Sequence, residues 1–168
     1  MNSLFVTLLI GGTTGVLLGT AGAKIWAAAR TRLAWPQGAN FLRFHLSSSF
    51  VIAAEIVVSA IALAIPGHRI VSLLLAVIYA GFVVGATTLK GQECGCFGIE
   101  GMKVGPAHIW GCALTATALL ASAVGSEEIA SPRPLRLVVA LASAVVMTVA
   151  MQLWNRLTRI EVYNTHHD

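Results

Sequence analysis

Charge is what this chain has least of. Of its 168 residues only 11% are Asp, Glu, Lys or Arg, 57% are hydrophobic, and the mean hydropathy is +0.80. A soluble domain carries about 25% charged residues, so the composition points away from an ordinary soluble fold and toward a membrane protein. The net charge is +4 and the pI near 9.4, but the cations are scattered at segment ends, with no basic stripe and no reader motif. Nucleic acid is therefore rejected as a partner. The cations read instead as topology signals and contacts for the anionic headgroups of a lipid bilayer. The N-terminus, Met1-Asn2-Ser3-Leu4, lacks the positive n-region of a signal peptide. Ala21-Gly22-Ala23 resembles a small-residue cleavage site, but the apolar run before it is about as long as a bilayer span. It is read as an uncleaved helix.

What is present is apolar length. Five runs, 4–29, 46–65, 70–89, 106–124 and 135–154, approach or exceed the roughly 20 residues a helix needs to cross a hydrocarbon core. Their apolar residues are continuous rather than alternating, which favours helices over barrel strands. The expected fold is all-α membrane: a four-helix transmembrane core over 1–124, then over 125–168 a polar hinge, a fifth C-terminal transmembrane helix ending at Trp154, and a polar tail. Small residues are dense, as at Gly11, Gly12, Gly15, Gly19 and Gly22. Gly81 and Gly85 form a small-xxx-small pair that predicts close helix packing rather than a ligand role. The stretch 30–45 is polar, and Pro36 forbids one unbroken helix there. Within it, 41–46 fits an ordinary loop and a segment in the headgroup plane, with Trp35 as interface anchor, about equally well. The short turn Pro66-Gly67-His68-Arg69 makes the second and third helices antiparallel neighbours.

The chain has three cysteines, and two of them sit one residue apart in the loop between the third and fourth runs. Cys94 and Cys96 fall within disulfide range only if the chain turns, and Gly95 lets it turn. A bridge closing so small a ring is strained, which makes it labile and suited to exchange with a partner rather than to permanent stapling. Gly91, Gly95, Gly98, Gly101 and Gly105 make the loop pliable. Lys90 and Lys103 favour a thiolate, while Glu93 and Glu100 offset them. Two idle thiols are the plainer alternative. A metal site is another: His108 and Cys112, four apart on the fourth helix, share a face and with Cys94 and Cys96 would make a Cys₃His set for zinc or copper(I). The spacing matches no zinc pattern, so no metal is expected. Cys112 lies roughly 9 Å along its helix and reads first as a small hydrophobe, then as a third, resolving thiol.

Glu55 is the other singular residue, near the middle of the second run, where an ionisable group costs at least ~2.5 kcal/mol on insertion scales. Such a residue faces the bundle interior and marks a proton path, a paired site or a hydrogen-bonded structural acid. Lys24 is the nearest cation in sequence, but its depth matches Glu55 poorly, so it is expected to snorkel to the interface. Tyr79, Thr87 and Thr88 are the candidate donors to Glu55.

At the cysteine loop the chain resembles the methylamine-utilisation MauE family, redox-associated relatives of DoxX membrane proteins. Cys94-Gly95-Cys96-Phe97-Gly98 matches that family's Cys-Gly-Cys-Phe-Gly motif. Lys90-Gly91 resembles the basic-Gly pair before it, Glu55 the acid of the second helix, and Lys24 the lysine closing the first. The resemblance covers roughly 1–124; where members often have Arg-Asn in the last core helix, this chain has Gly111-Cys112. It implies catalytic roles for Cys94 and Cys96, supporting roles for Glu55, Lys90, Gly95, Phe97, Gly98 and Lys24, and a thioredoxin-like partner protein matured by disulfide formation, in methylamine metabolism for the family. The architecture also looks like the thiol-oxidising bundles of DsbB and vitamin K epoxide reductase, which use Cys-x-x-Cys pairs. A quinone as electron acceptor follows only by that analogy; the cofactor is otherwise unknown.

The implied location is the cell inner membrane, multi-pass. Counting cations places the loop on the cytoplasmic side: Arg30, Arg32, Arg43, Lys90, Lys103, Arg156 and Arg159 face Arg69, Arg133 and Arg136 on the other. Disulfide chemistry favours the oxidising, extracytoplasmic side. A different class of function, a non-enzymatic membrane chaperone or metal-handling protein using the same cysteines, is the alternative. A solute transporter built around Glu55 is a third, weakened by the lack of repeats or interrupted helix pairs.

Overall fold

The computed structural model describes residues 3–30, 40–41, 44–45, 47–65, 68–91, 104–125 and 132–164. Five helices account for nearly all of them: α1 (Ser3–Ala29), α2 (Ser48–Ala64), α3 (His68–Thr88), α4 (Pro106–Val124) and α5 (Arg133–Asn164). Between α1 and α2, β1 (Asn40–Phe41) pairs antiparallel with β2 (Phe44–His45), Phe41 opposite Phe44. The stretch left open between loop and headgroup-plane segment thus contains one arm of a minimal hairpin. Trp35 lies outside the described residues.

Four helices, α1, α3, α4 and the Arg133–Ala150 part of α5, are long and apolar enough to cross a membrane. α2 is a shorter apolar helix of 17 residues, or about 26 Å at 1.5 Å per residue. Its boundaries have local causes. Ser47 is the N-cap, its side chain accepting from the Phe50 N–H at 3.3 Å, so the helix starts two residues later than hydropathy alone predicts. Pro66-Gly67 follows its end. α4 opens on Pro106 after the cap Gly105, where proline's missing N–H is harmless. α5 does not stop at Trp154. The polar residues beyond, Asn155 to Asn164, include no Gly or Pro, so nothing breaks the helix when the apolar part ends.

The outer surface is largely apolar, and several polar side chains are buried beside the apolar core. Val77, Val124, Leu114, Trp110 and Val146 are all well exposed, while Thr7, Thr14, Lys24, Glu55, Ser59, Ser72 and Arg136 are buried. Outward apolar and inward polar surface is the arrangement a hydrocarbon solvent favours. α1 is the central helix: 61% of its span is buried, against 33% for α3, 28% for α4 and 11% for α5. It touches all four other helices.

The closest helix approach is not where the sequence suggested. α1 runs parallel to α5, and Gly11, Gly15 and Gly19 form the seam. A Cβ on Gly15 would lie 2.2 Å from the Ala140 carbonyl oxygen, and one on Gly11 2.9 Å from Val139 Cβ. Gly19 faces Ala144 and Met147 at 3.3 Å. This is small-xxx-small packing over two successive steps. Gly81 and Gly85 instead have nothing among the described residues within 4 Å of the place a Cβ would take. They face a cavity, which corrects the expectation that this pair holds two helices together.

Arg136, counted above among the cations that mark one side of the membrane, is fully buried in the first turn of α5. Its Nη1 donates to the Ala62 and Ile65 carbonyls, at 3.1 and 3.0 Å. These carbonyls end α2 and have no partner within their own helix; a cation there also opposes the negative end of the helix dipole.

Candidate functional site

Lys24 and Glu55 meet inside the bundle. Lys24 Nζ donates to Glu55 Oε1 at 2.5 Å, and the side chains are 2% and 1% exposed. The snorkelling expected of Lys24 is therefore corrected, and the reason is the antiparallel pairing of α1 with α2. Lys24 stands five residues before the end of α1 and Glu55 seven after the start of α2. That offset is about 3 Å along the axis, which a lysine side chain spans easily. Phe82 lies 5.9 Å from Nζ, ring face toward the ammonium, and Tyr79 meets Phe82 edge-on at 5.8 Å.

None of the three expected donors reaches Glu55. Tyr79 Oη donates to the Thr13 carbonyl at 3.0 Å, and the exposed Thr87 and Thr88 hydroxyls bond back to Val84 and Gly85 in their own helix. The hydroxyl that bears on the Glu55 carboxylate is that of Thr20. It donates to the Leu17 carbonyl at 2.9 Å, and Glu55 Oε2 has no hydrogen-bond partner among the described residues. Thr20 was missed in sequence. Its signal was a hydroxyl one turn before Lys24 in a helix otherwise rich in glycine and aliphatic residues.

The pair opens onto a cavity of about 590 Å³ that all five helices help to wall. Its polar side includes Lys24, Glu55, Tyr79, His108 and Cys112, with the hydroxyl residues Thr13, Thr20, Thr115 and Ser143; most of the rest is apolar. His108 lies within electrostatic reach of Lys24, and Cys112 is a free, buried thiol. The expectation that His108 and Cys112 share a face of α4 is met, since both line this cavity. Among the described residues no three of His, Cys, Asp and Glu gather as a metal-binding group.

These groups sit in the half of the bundle toward the end where α1 and α3 finish and α2 and α4 begin. The α3–α4 connection leaves from that end. Lys90 is exposed in the turn after α3. Gly91 follows with φ +81°, a left-handed conformation that glycine adopts without strain, and its N–H donates to the Val104 carbonyl at 3.1 Å. This bond closes the base of the connection beside Ala86, Leu89, Val104 and Ile109, which pack together. Cys94, Gly95, Cys96, Phe97 and Gly98 lie outside the described residues.

The fold and site define an all-α protein with a buried ion pair, a cavity, and four helices fit to cross a bilayer. Comparison with family models, curated proteins and solved structures finds no match.

Proposed function

We propose that the chain is a multi-pass inner-membrane protein, all five helices spanning, whose Cys94/Cys96 pair cycles between disulfide and dithiol to assist maturation of partner proteins, as in the MauE family it resembles. A thiolate of a thioredoxin-like partner attacks the strained bridge and releases one cysteine as its thiolate. The partner's second thiol then resolves the mixed disulfide, leaving the partner oxidised and the pair reduced. Two electrons and two protons pass on to a membrane acceptor, by analogy a quinone.

The observation that supports this reading most is the Lys24–Glu55 contact. The resemblance drew on both residues, 31 positions apart, for unrelated places in two helices; they meet as one buried pair, in the half of the bundle toward the end from which the α3–α4 connection departs. α2, at 17 residues, falls at the short end of the range for spanning helices, and it must carry the chain between opposite ends of α1 and α3.

Thiol trapping followed by mass spectrometry tests the proposal. Under mild oxidant Cys94 and Cys96 are expected to become unreactive together, and reductant to release both; a pair that never oxidises would remove the idea. Alkylating Cys94 in intact cells with a membrane-impermeant reagent decides which face the loop occupies, and a cytoplasm-only result would undercut disulfide transfer outside the cell. The metal-handling alternative draws on His108 and Cys112 lining one cavity. It requires stoichiometric zinc or copper in the purified protein, lost on Cys94→Ser.

A further inference from the structure

Three features place a ligand site within the bundle, independent of the cysteine loop. The first is size: a cavity of about 590 Å³ lies in the range of small-molecule sites, about 300–1,000 Å³. The second is its origin. Gly81, Gly85 and Gly111 line it, and a Cβ added to any of them would have no atom of the described residues within 4 Å. Glycine inside a helix is less favourable than alanine, and here no described neighbouring helix needs the space. The third is polar: Glu55 is 1% exposed and lines the cavity, and its Oε2 has no partner among the described residues. A buried acceptor left unsatisfied is unfavourable, the more so if charged.

We propose that this cavity binds a lipid-soluble molecule, apolar along most of its length, whose hydroxyl group donates a hydrogen bond to Glu55 Oε2. The polarity follows from the site. Glu55 Oε1 is already held by Lys24, so the free oxygen needs a donor. The Lys24 ammonium balances the carboxylate, so a second cation would meet Lys24 at close range; a neutral hydroxyl avoids that repulsion and a protonated amine does not. The remaining wall, including Leu9, Leu17, Phe82 and Leu89, suits an alkyl or aromatic body. An acyl chain of bulk lipid would fill the same walls but leave Oε2 unpaired.

The test uses the full chain in lipid nanodiscs with two probes of nearly equal size, 4-octylphenol and its methyl ether. Binding is read by native mass spectrometry and by the shift in thermal unfolding. One phenol is expected per chain, bound at least about tenfold more tightly than the ether, the factor one hydrogen bond to a charged group supplies. Gly85→Leu fills the cavity from a position with open space, so it is expected to keep the fold and abolish binding. Glu55→Gln is expected to erase the preference for phenol over ether. Equal affinity for the two probes, or undiminished binding to a folded Gly85→Leu variant, would overturn the proposal. The Cys94→Ser/Cys96→Ser variant is expected to bind the phenol as the wild type does, so failure of thiol exchange and failure of this site are read separately.

Discussion

Removing either half of the Lys24–Glu55 pair is expected to be far worse than removing both. At 2.5 Å two unit charges attract by about 7 kcal/mol at an effective dielectric constant near 20. Most of that attraction is offset by the several kcal/mol per ion required to leave water, so the intact pair adds little net stability. Truncating one partner keeps the other's desolvation and loses the attraction, a change of about 3–5 kcal/mol. Lys24→Met and Glu55→Leu should each destabilise by that amount, since both sites are almost wholly buried. The double variant, two apolar side chains of similar volume, should recover most of the loss. The measurement is reversible unfolding in mixed detergent micelles, followed by circular dichroism, across all four proteins of the cycle. A coupling energy of at least about 3 kcal/mol is expected. Additive single losses, within the ~0.5 kcal/mol scatter of independent sites, would show that the two side chains do not form the pair described here.

The glycine seam makes an asymmetric prediction. Gly15→Ala places a methyl 2.2 Å from the Ala140 carbonyl oxygen and 2.7 Å from Ser143 Cβ, and should lose about 1–3 kcal/mol, as overpacking does; Gly81→Ala should be neutral or stabilising in the same assay. Arg136→Met removes both hydrogen bonds to the end of α2, each about 1.5–3 kcal/mol when the donor is charged. Hydrogen exchange should then accelerate at the last turn of α2 and not at Val51 or Ile52, and unchanged protection would refute the cap. Tyr79→Phe deletes the bond to the Thr13 carbonyl, for a loss of about 0.5–1.5 kcal/mol. A variant as stable as the parent would show that this bond adds nothing.

How much of this was legible beforehand varied with the distance over which each feature is decided. Helix positions were legible because solvent preference acts residue by residue along a run. The start of α2 at Ser48 and the continuation of α5 to Asn164 were shifted by a local cap and by the absence of a breaker, which hydropathy does not weigh. Glu55 stood out as a carboxylate in an apolar run, and burial bears that out. Its partner was misjudged because Lys24 was measured from the end of its own run, whereas an antiparallel turn sets both residues by their distance from a shared end. The glycines were visible too, but not their use. Gly11, Gly15 and Gly19 meet another helix while Gly81 and Gly85 meet open space, although both sets carry the same four-residue spacing. Arg136 looked like a cation at a helix end and is one. The helix end it serves is that of α2, 71 to 74 positions away in sequence.

The sequence by itself determined that this is a helical chain for a hydrocarbon solvent, where each helix lies, and which polar residues are too few to be accidental within it. Those features follow from composition and from helix geometry, both local. Only the tertiary structure decided that α1 is the central helix, that Lys24 and Glu55 meet, that glycine seals one interface and opens a cavity at another, and that Glu55 Oε2 is left without a partner among the described residues. Each depends on which helix faces which, and at what offset. A helix surface specifies that only together with the surfaces packed against it.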